Sequence, residues 1–335
     1  MMPLFPGLVM GIETSCDETA VAILDGSRVL TSVISSQIEL HKQWGGVVPE
    51  AAARAHVEAM LPVIHEALQS VNATLSDIAA IAVTNRPGLI GALSVGVTTA
   101  KSLARLLKIP LIAVHHLEGH LLSPFLNEDR FAELPNLTLI ASGGHTELVL
   151  VEAIGNYRLV AETVDDAAGE AFDKSARLLG FDYPGGRAIQ AAAQSGNPKA
   201  HAFPRSLPQD ETKFSFSGLK TAVRREVESA SAVHIPDVAA SLQQAIVDAL
   251  VKKTLMNEDI HGARSVSLVG GVAANALLRD TLKTECNRRG IELWCPSLEY
   301  CMDNAAMIAL AGSNRLSNCE RSTAEVDCYA NAPLP

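Results

Sequence analysis

Two histidines, His116 and His120, stand four residues apart in the run His115-His116-Leu117-Glu118-Gly119-His120. On a helix that spacing puts both imidazoles on one face, one turn apart, where they can share a metal ion. The same spacing also serves surface or capping histidines. The apolar stretch 109–114 before the pair reads as a strand. It delivers the histidines to a strand's carboxyl end, where open α/β sheets place ligands. Zinc peptidases spell this motif with Glu directly after the first histidine. Here Glu118 is two residues after His116, about 200° round a helix and so directed away from the metal face. A peptidase base must reach metal-bound water, so the spelling counts against that chemistry.

The other residues with chemical potential lie in turns. Ser15-Cys16-Asp17-Glu18 separates two apolar strands, and Ser142-Gly143-Gly144-His145-Thr146 separates another two. Gly143 and Gly144 allow backbone N–H groups to approach an anion closely. An ordinary hairpin turn reads the same way. Gly270-Gly271 precedes a helix and forms a matching cradle. Asp303 stands at the expected start of the last helix, where an N-cap is the reading its position alone gives. Asp17 and Glu18 are candidates to assist proton transfer, or are exposed turn carboxylates. Asp173, on an expected helix, reads by position alone as a helix-surface carboxylate.

The elements that position these residues repeat. Strands are expected over 8–14, 19–24 and 28–36, a helix over 51–70, a strand over 78–84, a helix to 107 and a strand over 109–114. The same β-β-β-α-β-α-β order returns with strands over 137–141, 147–152 and 157–163. A helix over 169–179 and an irregular insert over about 183–235 follow. Then come a helix over 238–255, a strand over 265–269, a helix to 289 and a strand over 291–294. A final helix starts at Asp303. The expected fold class is α/β: two duplicated ribonuclease-H-like lobes, as in actin, Hsp70 and sugar kinases, with a cleft between them. The first lobe is expected over 1–115, with the helix of about 303–317 packed back on it. The second spans 116–302, and 318–335 form an extended tail.

The chain has 335 residues, 48% hydrophobic and 19% charged, an ordinary soluble globular composition. No stretch reaches the ~18 apolar residues of a membrane span. The start has no basic region before its first strand, and no signal peptide is expected. Six cysteines form no CxxC pair, so a reduced, cytoplasmic protein is expected. Net charge is −10, yet residues 187–225 hold seven basic side chains (Arg187, Lys199, Arg205, Lys213, Lys220, Arg224 and Arg225) against Asp210 and Glu211. That stretch is either a solvated face or a patch that contacts phosphates.

Nearly end to end, the chain resembles the bacterial type of the tRNA N6-adenosine threonylcarbamoyltransferase family, formerly called O-sialoglycoprotein endopeptidases. The resemblance is carried by motifs in order. They are residues 11–19 (GIETSCDET), 45–50, 87–91, the His115–His120 run, 142–146, 165–174 (DDAAGEAFDK), 183–186, 214–220 (FSFSGLK), 270–275 and 303–306. Arg187 departs from it, standing where many relatives have Pro. The resemblance implies transfer of a threonylcarbamoyl group from threonylcarbamoyl-AMP to N6 of the adenosine 3′ of the anticodon. It implies His116, His120 and Asp303 as ligands of one divalent metal, iron(II) or zinc. It also implies that Ile140, Ala141, Ser142, Gly143, Gly144, Asp173, Gly186 and Asn275 line the adenylate site. The implied partners are tRNA, a smaller paralogue of the same fold and a P-loop ATPase, with no membrane. Two other activities remain open at this point: an ATPase or kinase of the same fold, and a zinc metallopeptidase.

Overall fold

The computed structural model describes residues 2–229, 234–323 and 325–334. Met1 of the expected start, 230–233 of the expected insert, and 324 and 335 of the expected tail lie outside the described residues. The chain divides into two units, Met1–Phe131 with Pro296–Pro335, and Ala132–Cys295. No helix among the described residues is long and apolar enough to cross a membrane.

In the first unit, β1 (Leu8–Glu13), β2 (Glu18–Asp25) and β3 (Arg28–Ser36) form an antiparallel meander. A short helix α1 (Ile38–Lys42) and the long α2 (Pro49–Ser70) follow. Then come β4 (Ile78–Arg86), α3 (Ile90–Leu107), β5 (Leu111–His115) and α4 (His116–Leu122). The strand order is β3-β2-β1-β4-β5, with β1, β4 and β5 parallel. The carboxyl ends of β1, β4 and β5 therefore emerge on one side. That geometry brings Glu13, Thr84 and His115, the last or nearly last residues of three strands, to the same edge.

One face of this sheet is apolar for a clear reason. Met10 and Ile12 alternate along β1 and meet Met60, Val63 and Ile64 of α2 and Val97 and Ala100 of α3. Each of the buried Met, Ile and Val side chains stabilises the unit by roughly 1.5–3 kcal/mol.

The second unit repeats the plan. It contains β6 (Asn136–Ala141), β7 (Thr146–Ala153), β8 (Asn156–Thr163), α5 (Ala168–Leu178) and α6 (Gly185–Ala193). It continues with β9 (Lys213–Phe214), α7 (Ser217–Ser229), α8 (Ile235–His261), β10 (Ser265–Val269), α9 (Ala276–Arg289) and β11 (Glu292–Trp294). The order β11-β10-β6-β7-β8-β9 is the first sheet's order with β9 added beyond β8. Each unit thus carries the expected ribonuclease-H-like sheet.

The last helix, α10 (Ala305–Ser317), belongs to the first unit. A Cβ on Gly11 of β1 would meet the Ala305 carbonyl and the Ala309 amide. A Cβ on Gly312 would meet Ala82 and Ile112. Small residues on both sides let the helix lie directly on the strands.

Three expectations differ from the structure. The first unit runs past His115 to Phe131 and resumes at Pro296, because α4 packs on α10 and stays with the first sheet. The insert is not irregular throughout: among the described residues it contains α6, β9 and α7, with 194–212 outside any helix or strand. The final helix begins at Ala305, two residues after the expected Asp303.

Candidate metal centre

The turn from β5 into α4 places the histidine pair. His115 is the N-cap, its Nδ1 accepting the Leu117 backbone N–H at 3.2 Å. His116 and His120 then lie one turn apart, their rings 4.7 Å between centroids and nearly perpendicular. Gly119 lies between them in sequence, where a Cβ would meet Ile308 and Met307 of α10. Its absence lets α10 approach α4 and bring in Asp303. Asn304, not Asp303, caps α10: its side chain accepts the Met307 N–H at 3.0 Å. Asp303 is thereby left with its carboxylate free for the histidines.

Asp303 Oδ1 lies 3.4 Å from His116 Nε2 and 3.2 Å from His120 Nε2. The three ligand atoms are all within 4.8 Å of one another. With bonds of ~2.1 Å to one ion, neighbouring ligand atoms stand ~3.0–3.4 Å apart. The residues therefore fit a single metal ion. Glu118 faces elsewhere, its carboxylate 3.6 Å from Arg315 Nη1. It is committed to an ion pair with α10, as its phase on the helix requires.

Glu13 is the residue that sequence reasoning missed. It is fully buried at the end of β1. Oε2 accepts from His116 Nδ1 at 3.1 Å and from Thr84 Oγ1 at 2.5 Å, and Oε1 accepts the Ser15 N–H at 2.5 Å. A carboxylate on Nδ1 holds that proton in place and leaves Nε2 to face a metal. Burial disfavours charge on His116, but Asp303 and Glu13 together hold its imidazole well above its ordinary range. Burial likewise opposes ionisation of Asp303 and Glu13, and the imidazoles overcome it, holding both carboxyls low. For His120 burial wins and lowers the imidazole. Glu13→Gln is expected to weaken zinc binding about 10- to 100-fold, read by competition with a chromophoric chelator. Unchanged affinity in the folded variant would remove Glu13 from this role.

Asp17 in the β1–β2 turn and Glu18 at the start of β2 follow in the same unit. Burial, then the neighbouring Asp17, pushes the Glu18 carboxyl up to about 8. Its Oε1 accepts from Ser36 Oγ at 2.9 Å, while its buried Oε2 has no hydrogen-bond partner among the described residues. Burial also raises Asp17. Burial, with Asp17 nearby, drives the Cys16 thiol up, which favours its neutral form. These are not the exposed turn carboxylates the sequence left open.

The expected adenylate residues all lie in the second unit. Ile140 and Ala141 end β6, and the turn 142–145 closes with Ser142 N–H donating to the His145 carbonyl at 2.8 Å. A Cβ on Gly143, Gly144 or Gly186 would meet nothing within 4 Å, so open space stands beside each. Gly270, by contrast, has φ +88° and its Cβ would strike the Ala141 carbonyl, so only glycine fits there. Asp173 Oδ1 accepts the Gly185 N–H at 2.7 Å, tying α5 to the start of α6. Asn275 caps α9 through the Leu278 N–H at 3.1 Å and donates to Gln243 Oε1 at 2.9 Å. Its oxygen is occupied, and one amide N–H remains for a ligand.

Comparison with known proteins now decides the family. The profile TsaD, tRNA N6-adenosine threonylcarbamoyltransferase, matches residues 28–310. The chain belongs to this family. A tRNA N6-adenosine threonylcarbamoyltransferase of Ralstonia pickettii is 50% identical over 318 residues, covering 92% of this chain and 91% of that protein. One from Syntrophotalea carbinolica is 47% identical over 333 residues, covering 98% and 97%. Among solved structures, full-length HypF in its phosphate- and nucleotide-bound form aligns with TM-score 0.63 at 14% identity, over 97% of this chain and 48% of that one. The (R)-2-hydroxyglutaryl-CoA dehydratase component A of Acidaminococcus fermentans aligns with TM-score 0.55 at 15% identity, over 93% and 99%. These two likenesses concern the fold alone.

Proposed function

We propose that this chain transfers the threonylcarbamoyl group of threonylcarbamoyl-AMP to N6 of the adenosine 3′ of the anticodon, in tRNAs reading codons that begin with A. Membership in the TsaD family carries the reading. The His116, His120 and Asp303 cluster supports it, since two imidazoles and a carboxylate suit iron(II), with zinc accepted by the same donors. Such an ion, when bound, supplies Lewis-acid polarisation of a substrate oxygen.

The chain's own residues do the rest. The backbone N–H groups of Gly143 and Gly144 hold the adenylate phosphate, which leaves as AMP with its charge stabilised. Ile140, Ala141 and Ser142 carry that turn. The second oxygen of Asp173 receives ribose hydroxyls beside Gly186, and the remaining Asn275 N–H meets the nucleoside. An exocyclic adenine nitrogen is a weak nucleophile, so positioning and proton removal matter. Asp17 and Glu18 form a pair in which one carboxyl stays protonated near neutrality and the other accepts the proton. Exposed Arg224 and Arg225 on α7 offer tRNA phosphates a contact. Arg205 is engaged instead with Asp248 at 2.6 Å. The setting is the cytoplasm, and a smaller paralogue of the same fold and a P-loop ATPase complete the active complex.

Depleting this protein from cells is expected to remove N6-threonylcarbamoyladenosine from bulk tRNA, read by mass spectrometry of nucleosides. An unchanged nucleoside would refute the proposal. ADP formed from ATP by this chain alone, with no tRNA product, would favour a kinase of the same fold. The isolated chain, given tRNA and synthetic adenylate, is expected to show little turnover until its partners are added.

A further inference from the structure

Among its described residues the segment after α10 has no helix or strand, yet it is tied down at many points along the first unit. β5 is an edge strand of its sheet, so the backbone groups on its outer side take partners from outside the sheet. Ser322 N–H donates to the Leu111 carbonyl, and Ser322 Oγ accepts the Ala113 N–H, both at 2.8 Å. Farther along, Asn85 Nδ2 donates to the Asp327 carbonyl at 2.9 Å, and Tyr329 N–H donates back to the Asn85 carbonyl at 3.0 Å. The Ala330 carbonyl accepts the Gly88 N–H at 3.2 Å. Finally the Ala332 carbonyl lies 3.1 Å from His115 Nε2.

That last contact reaches the metal centre through one ring. His115 is fully buried and caps α4 by accepting the Leu117 N–H on Nδ1. Only the tautomer with its proton on Nε2 leaves Nδ1 free to accept. A carbonyl at Nε2 selects that tautomer, because it can only accept. We infer that residues 331–334 are a positioning strap: the Ala332 carbonyl fixes the His115 tautomer, His115 caps α4, and α4 holds His116 and His120 in register for their metal. This rests on those two residues and Asp303 being the ligands.

A chain ending at Ala330 keeps the Gly88 contact and removes only the strap. Zinc titration of the metal-free chain, by competition with a chromophoric chelator, is expected to show affinity about fivefold weaker, the loss typical of a helix cap. The melting temperature should change little. Nitrogen-15 spectra of the imidazoles should show His115 passing from one tautomer to a mixture. His115→Asn supplies a cap without tautomers, so shortening the chain in that background should cost no further affinity. Equal losses in both backgrounds, or no loss in either with His115 in one tautomer throughout, would overturn the strap. Failure of the full-length chain to bind zinc at all would instead overturn the ligand set, leaving the tautomer measurement to judge the strap.

Discussion

Replacing His116 by alanine is expected to lower zinc or iron(II) affinity by roughly a hundredfold or more, at least the upper range for loss of a supporting partner. Threonylcarbamoyl transfer in the reconstituted system should fall with it. On the proposed ligand set, the substitution removes one of three converging side chains. It also strips Glu13 and Asp303 of the imidazole that both contact. Two carboxylates buried near one another without a cation between them repel, and breaking a buried pair costs about 3–5 kcal/mol. Stability must therefore be followed beside metal content. His116→Gln, which keeps a polar side chain of similar reach, separates the two effects. A folded His116→Ala chain with full metal content would show that the three residues are not the ligands.

The ease of reading this site from sequence varied with how its residues are connected. His116 and His120 are four apart on one helix, so their convergence is written locally. Asp303 is 183 residues from His120 and reaches it only because α10 lies on β1 through Gly11 and on β4 and β5 through Gly312. No local pattern states that, and the resemblance alone placed it. Glu13 ends an apolar strand and meets His116 across 103 residues. A glutamate there marks nothing by itself. The parallel arrangement of β1, β4 and β5 is the missing information, since it lines up three strand ends. The duplicated sheet was legible because each strand is a short apolar run between turn residues. The helices α6 and α7 were not, because Gly185-Gly186 and Ser217-Gly218 at their starts read as loop. The tail has no periodicity, and its order comes from backbone bonds to an edge strand, which side-chain patterns do not record.

Glu18→Gln is expected to raise the stability of the metal-free chain above about pH 5 while lowering transfer roughly 10²-fold or more, the range for a positioned proton-transfer group. In the unfolded chain the Glu18 carboxyl titrates near its ordinary 4.5, whereas in the folded chain burial and Asp17 push it up to about 8. Below both values the carboxyl is neutral in either state, and the glutamine variant should melt at nearly the same temperature as the parent. Between them the unfolded chain loses the proton and the folded chain keeps it, so the parent loses stability as pH rises. Glutamine cannot ionise and escapes that loss. Above about pH 8 the folded carboxyl ionises too, and the gap between variant and parent stops widening. Melting temperatures taken from pH 4 to 9 read this directly. A gap that does not change with pH would mean Glu18 is an ordinary carboxylate. A residue that weakens its own fold at neutral pH, and whose removal costs transfer, is retained for the reaction rather than for the structure. Full activity in the stabilised variant would break that link and show that the protonated Glu18 carboxyl has no part in the transfer beside Asp17.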